Sequence, residues 1–178
     1  MNLLLAATAV LVLGIGWRLL ARLIDTGAQG YRDEAERLAQ ISSLSLPEAA
    51  EKALPMLLDN RLFRLIERAN AEQAQLKALA PELRGFLGRY ERVDLIKAPF
   101  ASVSRSLVTA SVMYPGYLRI GYVEAGTDVE GEVAVRPGRE DVYELHEGEL
   151  PDPVHGTHKS IYHWLLAVAN EGNQAVGQ

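Results

Sequence analysis

Tyr117-Leu118-Arg119-Ile120-Gly121-Tyr122-Val123 alternates in side-chain character, and its period of two decides how the second half of the chain is read. Successive side chains of a strand point to opposite faces, so an alternating run bounded by turn formers reads as a half-buried strand. Tyr114-Pro115-Gly116 supplies the turn before it, and the polar stretch from Glu124 to Gly131 the connection after it. Glu132-Val133-Ala134-Val135 and Asp141-Val142-Tyr143-Glu144-Leu145 repeat the pattern on either side of Pro137-Gly138. Upstream, Val93 to Ile96 is short and apolar, and Leu107 to Met113 mixes β-branched and small residues, so both are expected as strands.

Helical spacing flanks this meander. Ser160 to Ala169 is expected to close the domain as an amphipathic helix with Ile161, Trp164, Leu165 and Val168 inward. Ahead of the strands, Ala35, Leu38 and Ile41 share one helical face. Ser45-Leu46-Pro47-Glu48 reads as a helix start, with a capping serine, an early proline and a capping-box glutamate. From about Asn60 the stripe Leu62, Ile66, Ala69, Gln73, Leu76 and Ala80 predicts a long helix. Pro81 restarts it with Leu83, Phe86, Leu87 and Tyr90 on the next apolar face. Helices, then a run of short strands, then a helix make an α+β fold with an antiparallel sheet and flanking helices.

The first residues follow a different pattern. Met1 to Trp17 carries no charged side chain, and Leu19, Leu20, Leu23 and Ile24 extend the apolar character past Arg18 and Arg22. About twenty helical residues span a hydrocarbon core, and arginines at its end can reach the interface. Residues 1–24 are therefore expected as a single transmembrane anchor. A cleaved signal peptide is the rival, with Gly14-Ile15-Gly16 as a small-x-small site. Arg18, Arg22, Arg32 and Arg37 follow the span and nothing positive precedes it. The positive-inside rule then puts the soluble part on the cytoplasmic side of a cell (inner) membrane. The expected organisation is an anchor over 1–24, a helical spacer or helical part of the soluble domain over 25–75, an α+β domain over 76–170, and a tail over 171–178.

Charge narrows the functional classes. Residues 1–92 hold 12 Lys and Arg against 11 Asp and Glu, whereas residues 93–178 hold 6 against 12. That acidic half argues against a nucleic-acid ligand. Without cysteine the chain has neither disulfides nor thiolate metal sites. Gly121-x4-Gly126 lacks the Gly-Lys-Ser/Thr of a phosphate loop, and no serine sits in a G-x-S-x-G turn. No small-molecule substrate or cofactor is evident. All four histidines fall between His146 and His163. His155, His158 and His163 are the ligands to consider for a metal-dependent hydrolase, although their spacing matches no closed signature. Glu130, Glu132, Glu140, Asp141 and Glu144 lie on two strands and their turns. They are read either as a solvated face or as an acidic surface that steers a basic protein partner. With Glu130 and Glu132 two residues apart, both are expected on one face, joined by Glu144 from the facing strand.

Several segments carry a family resemblance. Ala80-Pro81-Glu82-Leu83-Arg84-Gly85-Phe86-Leu87 resembles the L-P-x-x-L-R-x-F-L helix of the SMI1/KNR4 (SUKH) superfamily. Leu118-Arg119-Ile120-Gly121 is similar to that family's strand ending in I-G, and Val133-Ala134-Val135 with Asp141-Val142-Tyr143 to its next two strands. Ser160-Ile161-Tyr162-His163-Trp164-Leu165-Leu166 resembles its closing S-F-x-x-F-L helix. The resemblance implies an α+β protein-binding domain without catalysis over residues 76–170. In bacteria such domains are mostly immunity proteins against polymorphic toxins. A structural subunit or assembly factor of a membrane complex, docking through 31–80, is the alternative.

Overall fold

A computed structural model describes residues 29–30, 32–67, 74–96, 100–124, 130–146 and 157–174. The chain divides into two compact units, Met1–Arg37 and Leu38–Gln178. In the first, the described residues are helical. The second is α+β, with one large antiparallel sheet and flanking helices.

The second unit opens with helical residues 38–43 (α1), which bury Leu38 and Ile41. Helix α2 (Leu46–Leu57) starts where the sequence places it. Both the amide (2.8 Å) and the hydroxyl (2.6 Å) of Ser45 donate to the Glu48 carboxylate, so the helix's first turn is closed by its own side chains. Pro55 sits in the last turn, and the helix ends two residues later. Strand β1 (Phe63–Glu67), helix α3 (Pro81–Arg89) and strands β2 (Tyr90–Leu95) and β3 (Ala101–Ser104) follow. Then come β4 (Thr109–Ala110), β5 (Leu118–Val123), β6 (Gly131–Val135), β7 (Val142–Leu145), β8 (Thr157–His158) and helix α4 (Ile161–Gln174).

All pairings are antiparallel, in the order β1-β2-β3-β5-β6-β7-β8, with β4 beside β5. This is nearly a simple meander, so chain neighbours are sheet neighbours. Between Arg119 and Gly121 the β5–β6 register slips by one residue. At Gly121 an added Cβ would lie 1.9 Å from the Ser102 carbonyl oxygen, so the strand backbones approach more closely than any side chain allows.

One face of the sheet carries the core. Val93, Val103, Val133, Val135 and Val142 point to it and pack with Leu83 and Phe86 of α3, Ala49, Ala53 and Leu57 of α2, and Trp164, Leu165 and Val168 of α4. Leu83, Phe86, Ile120, Val133, Val135 and Trp164 are all buried. From Ile161 to Ala169 helix α4 is buried almost all round, Tyr162 alone being half-buried, so it is a central core helix rather than a surface amphipathic one.

Three expectations are corrected. The long helix predicted from Asn60 is interrupted at once, because Phe63 to Glu67 form β1. These residues pair in register with β2, Phe63 opposite Leu95 and Leu65 opposite Val93. Phe63-Arg64-Leu65 also fits a period of two, and a run this short satisfies both periods until a partner strand selects one. Leu107 to Met113 is not a strand. Only Thr109 and Ala110 pair, after a 3-10 turn over Arg105–Leu107, and the true neighbour of β2 is the small-residue run Ala101–Ser104. The closing helix continues to Gln174, beyond the expected end at Ala169. Among the described residues no helix is long and apolar enough to cross a membrane; the anchor expected over 1–24 lies outside them.

Candidate functional site

Strand alternation divides the charged residues between two faces. On β6 and β7 the register sets Val133 opposite Glu144 and Glu132 opposite Leu145. Glu144 therefore shares the helix-covered face with Val133, whereas Glu132 points to the other. The expected cluster of Glu130, Glu132 and Glu144 on one exposed face does not form. Adjacent strands bring their directly opposed residues together, and the register opposes Glu132 and Glu144 each to an apolar residue instead.

Each of the five acidic residues has its own surroundings. Glu130 is exposed at the entry to β6. Glu132 is only 2% exposed and ion-paired with Arg119 at 3.5 Å; it accepts the Ser111 hydroxyl and, at 3.3 Å, the Val112 amide. Glu140 accepts the Glu82 amide at 3.1 Å, so the β6–β7 turn caps the start of α3. Asp141 pairs with Arg139 at 3.5 Å. Glu144 accepts the Trp164 indole N–H at 2.7 Å and lies 3.7 Å from the His158 imidazole. Glu130, on the surface, also has an interaction of its own.

The histidines do not converge either. His155 lies outside the described residues, and His146 follows β7 with its ring over Gly131. His163, at the start of α4, uses both ring nitrogens within the fold. Nε2–H donates to the Leu44 carbonyl at 3.1 Å, which leaves Nδ1 to accept the Ser160 hydroxyl at 2.7 Å. Burial holds its imidazole below the ordinary histidine value and so in the neutral form, which this arrangement requires. Among the described residues no group of three His, Asp or Glu side chains could hold a metal ion.

The face opposite the helices is the part that differs from an ordinary surface. Its β5–β7 portion is covered by the segment between β4 and β5. There Ser111, Val112 and Tyr114 lie over Glu132, and the Tyr114 hydroxyl reaches the His146 carbonyl at 3.2 Å. Tyr117 and Tyr143 meet edge to face at 5.2 Å, with the Arg136 guanidinium over both rings. Burial raises the Tyr143 phenol above its ordinary value, so it stays a neutral donor. Polar and aromatic contacts thus fasten this segment to the sheet.

The β1–β3 portion has no such cover among the described residues. Arg64 and Ile66 of β1, Arg92 and Asp94 of β2, and Ser102 of β3 point to it. Ile96 and Phe100, one residue beyond β2 and β3, continue the alternation onto the same face. Tyr122 of β5 borders it, under the Arg119 guanidinium at 4.9 Å. The large apolar residues exposed among the described residues are Leu58, Ile66, Ile96, Phe100 and Val112. Ile66, Ile96 and Phe100, the last 52% exposed, stand on this portion, whereas Val112, 82% exposed, belongs to the segment that covers the β5–β7 portion. Clustering of that kind marks interaction surfaces, whereas apolar residues scattered singly do not. Local sequence does not reveal this site, because the apolar spacing through β1 also fits a helix and β3 is built mostly of small residues. The short run Phe100-Ala-Ser-Val-Ser104, with small and β-branched residues between two turn-prone stretches, carries the only local signal for β3.

No protein-family model matches the chain, and neither a curated protein nor a solved structure shows significant similarity to it.

Proposed function

We propose that this chain is a membrane-anchored, non-catalytic protein-binding domain whose partner docks on the open β1–β3 face of the sheet. The observation that carries the reading is the exposure of Ile66, Ile96 and Phe100 on this one portion of the sheet. Exposing them favours no folded contact, and an interface core of apolar and aromatic residues ringed by arginines is what protein partners use. A non-catalytic role agrees with the reading of the SMI1/KNR4 resemblance as a binding fold, and an immunity protein that neutralises a toxin is one form this function takes. The uncharged run Met1–Trp17 with Arg18 and Arg22 behind it supports the anchor, with the folded unit on the cytoplasmic side.

A photo-crosslinking residue placed at Phe100, in the full chain expressed in its own cell, tests the reading. The same residue at Glu51, exposed on α2, serves as the control. A discrete protein adduct from position 100 and none from position 51 is expected. Equal crosslinking from both, or none from position 100, would sink the proposal.

A further inference from the structure

The charge of the open face differs from that of the chain around it. The chain carries a net charge of -5, yet the β1–β3 face displays Arg64 and Arg92 against Asp94. Asp94 stands directly opposite Arg64 in the register, but its carboxylate is taken by Arg92, whose Nε donates at 2.7 Å. Among the described residues Arg64 has no ion-pair partner, and Arg92 still has its terminal nitrogens to offer. Arginine is suited to this, since its planar fork can hold one carboxylate while presenting further donors to another. The apolar side chains lie alongside: Ile66 is opposite Arg92 across β1 and β2, and Ile96 and Phe100 are at the hairpin end.

Resting on the protein-binding reading above, we infer that the occupant of this face is an acidic, apolar segment of the partner protein. Its carboxylates pair with Arg64 and Arg92, and its apolar side chains pack on Ile66, Ile96 and Phe100. Charge complementarity is the argument, and it runs opposite to the chain's net charge. A membrane surface carrying anionic lipid would also attract arginines and apolar residues. Asp94, fixed between the two arginines, speaks against it: a diffuse negative surface would be held against that carboxylate, whereas a protein segment can set discrete charges around it. The expected salt dependence follows, because exposed pairs weaken as ionic strength rises.

The test uses the full chain in neutral phosphatidylcholine nanodiscs and three probes. These are a short peptide alternating Glu and Leu, its Lys/Leu counterpart, and vesicles of phosphatidylcholine with phosphatidylserine. The Glu/Leu peptide is expected to bind, more weakly at high salt, and Arg64→Glu with Arg92→Glu to weaken it by at least about tenfold, or about 1.4 kcal/mol. Ile96→Ser with Phe100→Ser should weaken it as well. Equal or better binding of the Lys/Leu peptide would overturn the acidic chemistry while leaving the docking face intact. Binding of the anionic vesicles, lost in the arginine variant, would replace the partner protein with a lipid surface. If the Ile96/Phe100 variant binds the Glu/Leu peptide unchanged, the peptide sits elsewhere and the inference fails. The crosslinking result at Phe100 is independent of all three probes, so failure of the charge argument and failure of the protein-binding reading are distinguishable.

Discussion

The two faces of the sheet are built from the same strands and differ in how each is covered. Val93, Val103, Val133 and Val135 on one face are sealed under α2, α3 and α4 by apolar contact. On the other face the β5–β7 portion is sealed by a segment without regular structure, held by Glu132, Arg119, Ser111 and the tyrosines. Its β1–β3 portion bears exposed Ile66, Ile96 and Phe100. Apolar contact is non-directional and tolerates sliding, so it suits a helical layer. A polar latch fixes one geometry, because a buried carboxylate left without partners is costly. The molecule thus spends its apolar surface on the core face, latches the middle of the opposite face with polar groups, and leaves Ile66, Ile96 and Phe100 showing where no cover is seen among the described residues.

The largest expected effect tests the sealed face. Trp164 is 2% exposed and joins α4 to β7 through Glu144, so Trp164→Ala should cost about 3–5 kcal/mol in denaturant unfolding. A loss below about 1 kcal/mol would place α4 at the periphery and remove the contrast between the faces.

Next is the polar latch. Glu132→Ala removes a buried ion-pair member and strands Arg119, so a loss of about 3 kcal/mol is expected, the range seen when one partner of a buried pair is deleted. Protease cleavage within residues 105–117 should accelerate more than cleavage elsewhere. Uniform acceleration would mean that Glu132 supports the whole fold rather than this cover.

A smaller effect is read by pH. The folded state holds His163 below the ordinary value of 6.5 through burial, so the unfolded chain takes up a proton first as pH falls. The stability it contributes is complete above about pH 6.5 and is lost as pH drops towards the folded value, with a slope of at most about 1.4 kcal/mol per pH unit. His163→Asn should flatten that decline. An unchanged profile would show that other groups govern it.

The smallest effect falls on the open face. Phe100→Ser should change stability by no more than about 0.5 kcal/mol, as surface substitutions do, while crosslinking or peptide binding there is reduced. A large loss of stability would reveal Phe100 as part of the core and end its role in docking.

Much of the α+β arrangement was legible in the residues. Ser45 and Glu48 mark a helix start by local chemistry, and Leu118–Val123, Gly131–Val135 and Val142–Leu145 alternate strongly enough to be read as strands. Capping and alternation are local, so they survive without knowledge of the fold. Phe63–Glu67 shows where local reading ends, for its period is ambiguous and only hydrogen bonds to β2 select the strand. The acidic residues show the same limit from the side of function. Glu132 and Glu144 are both glutamates on adjacent strands, and sequence alone determined that each alternates with apolar neighbours. Which face the helices cover, and hence that Glu132 is latched by Arg119 while Glu144 meets Trp164, was decided only by the tertiary structure. Register and layer packing are long-range properties: a strand's own residues fix which side chains share a face, but only its partners decide which face meets water.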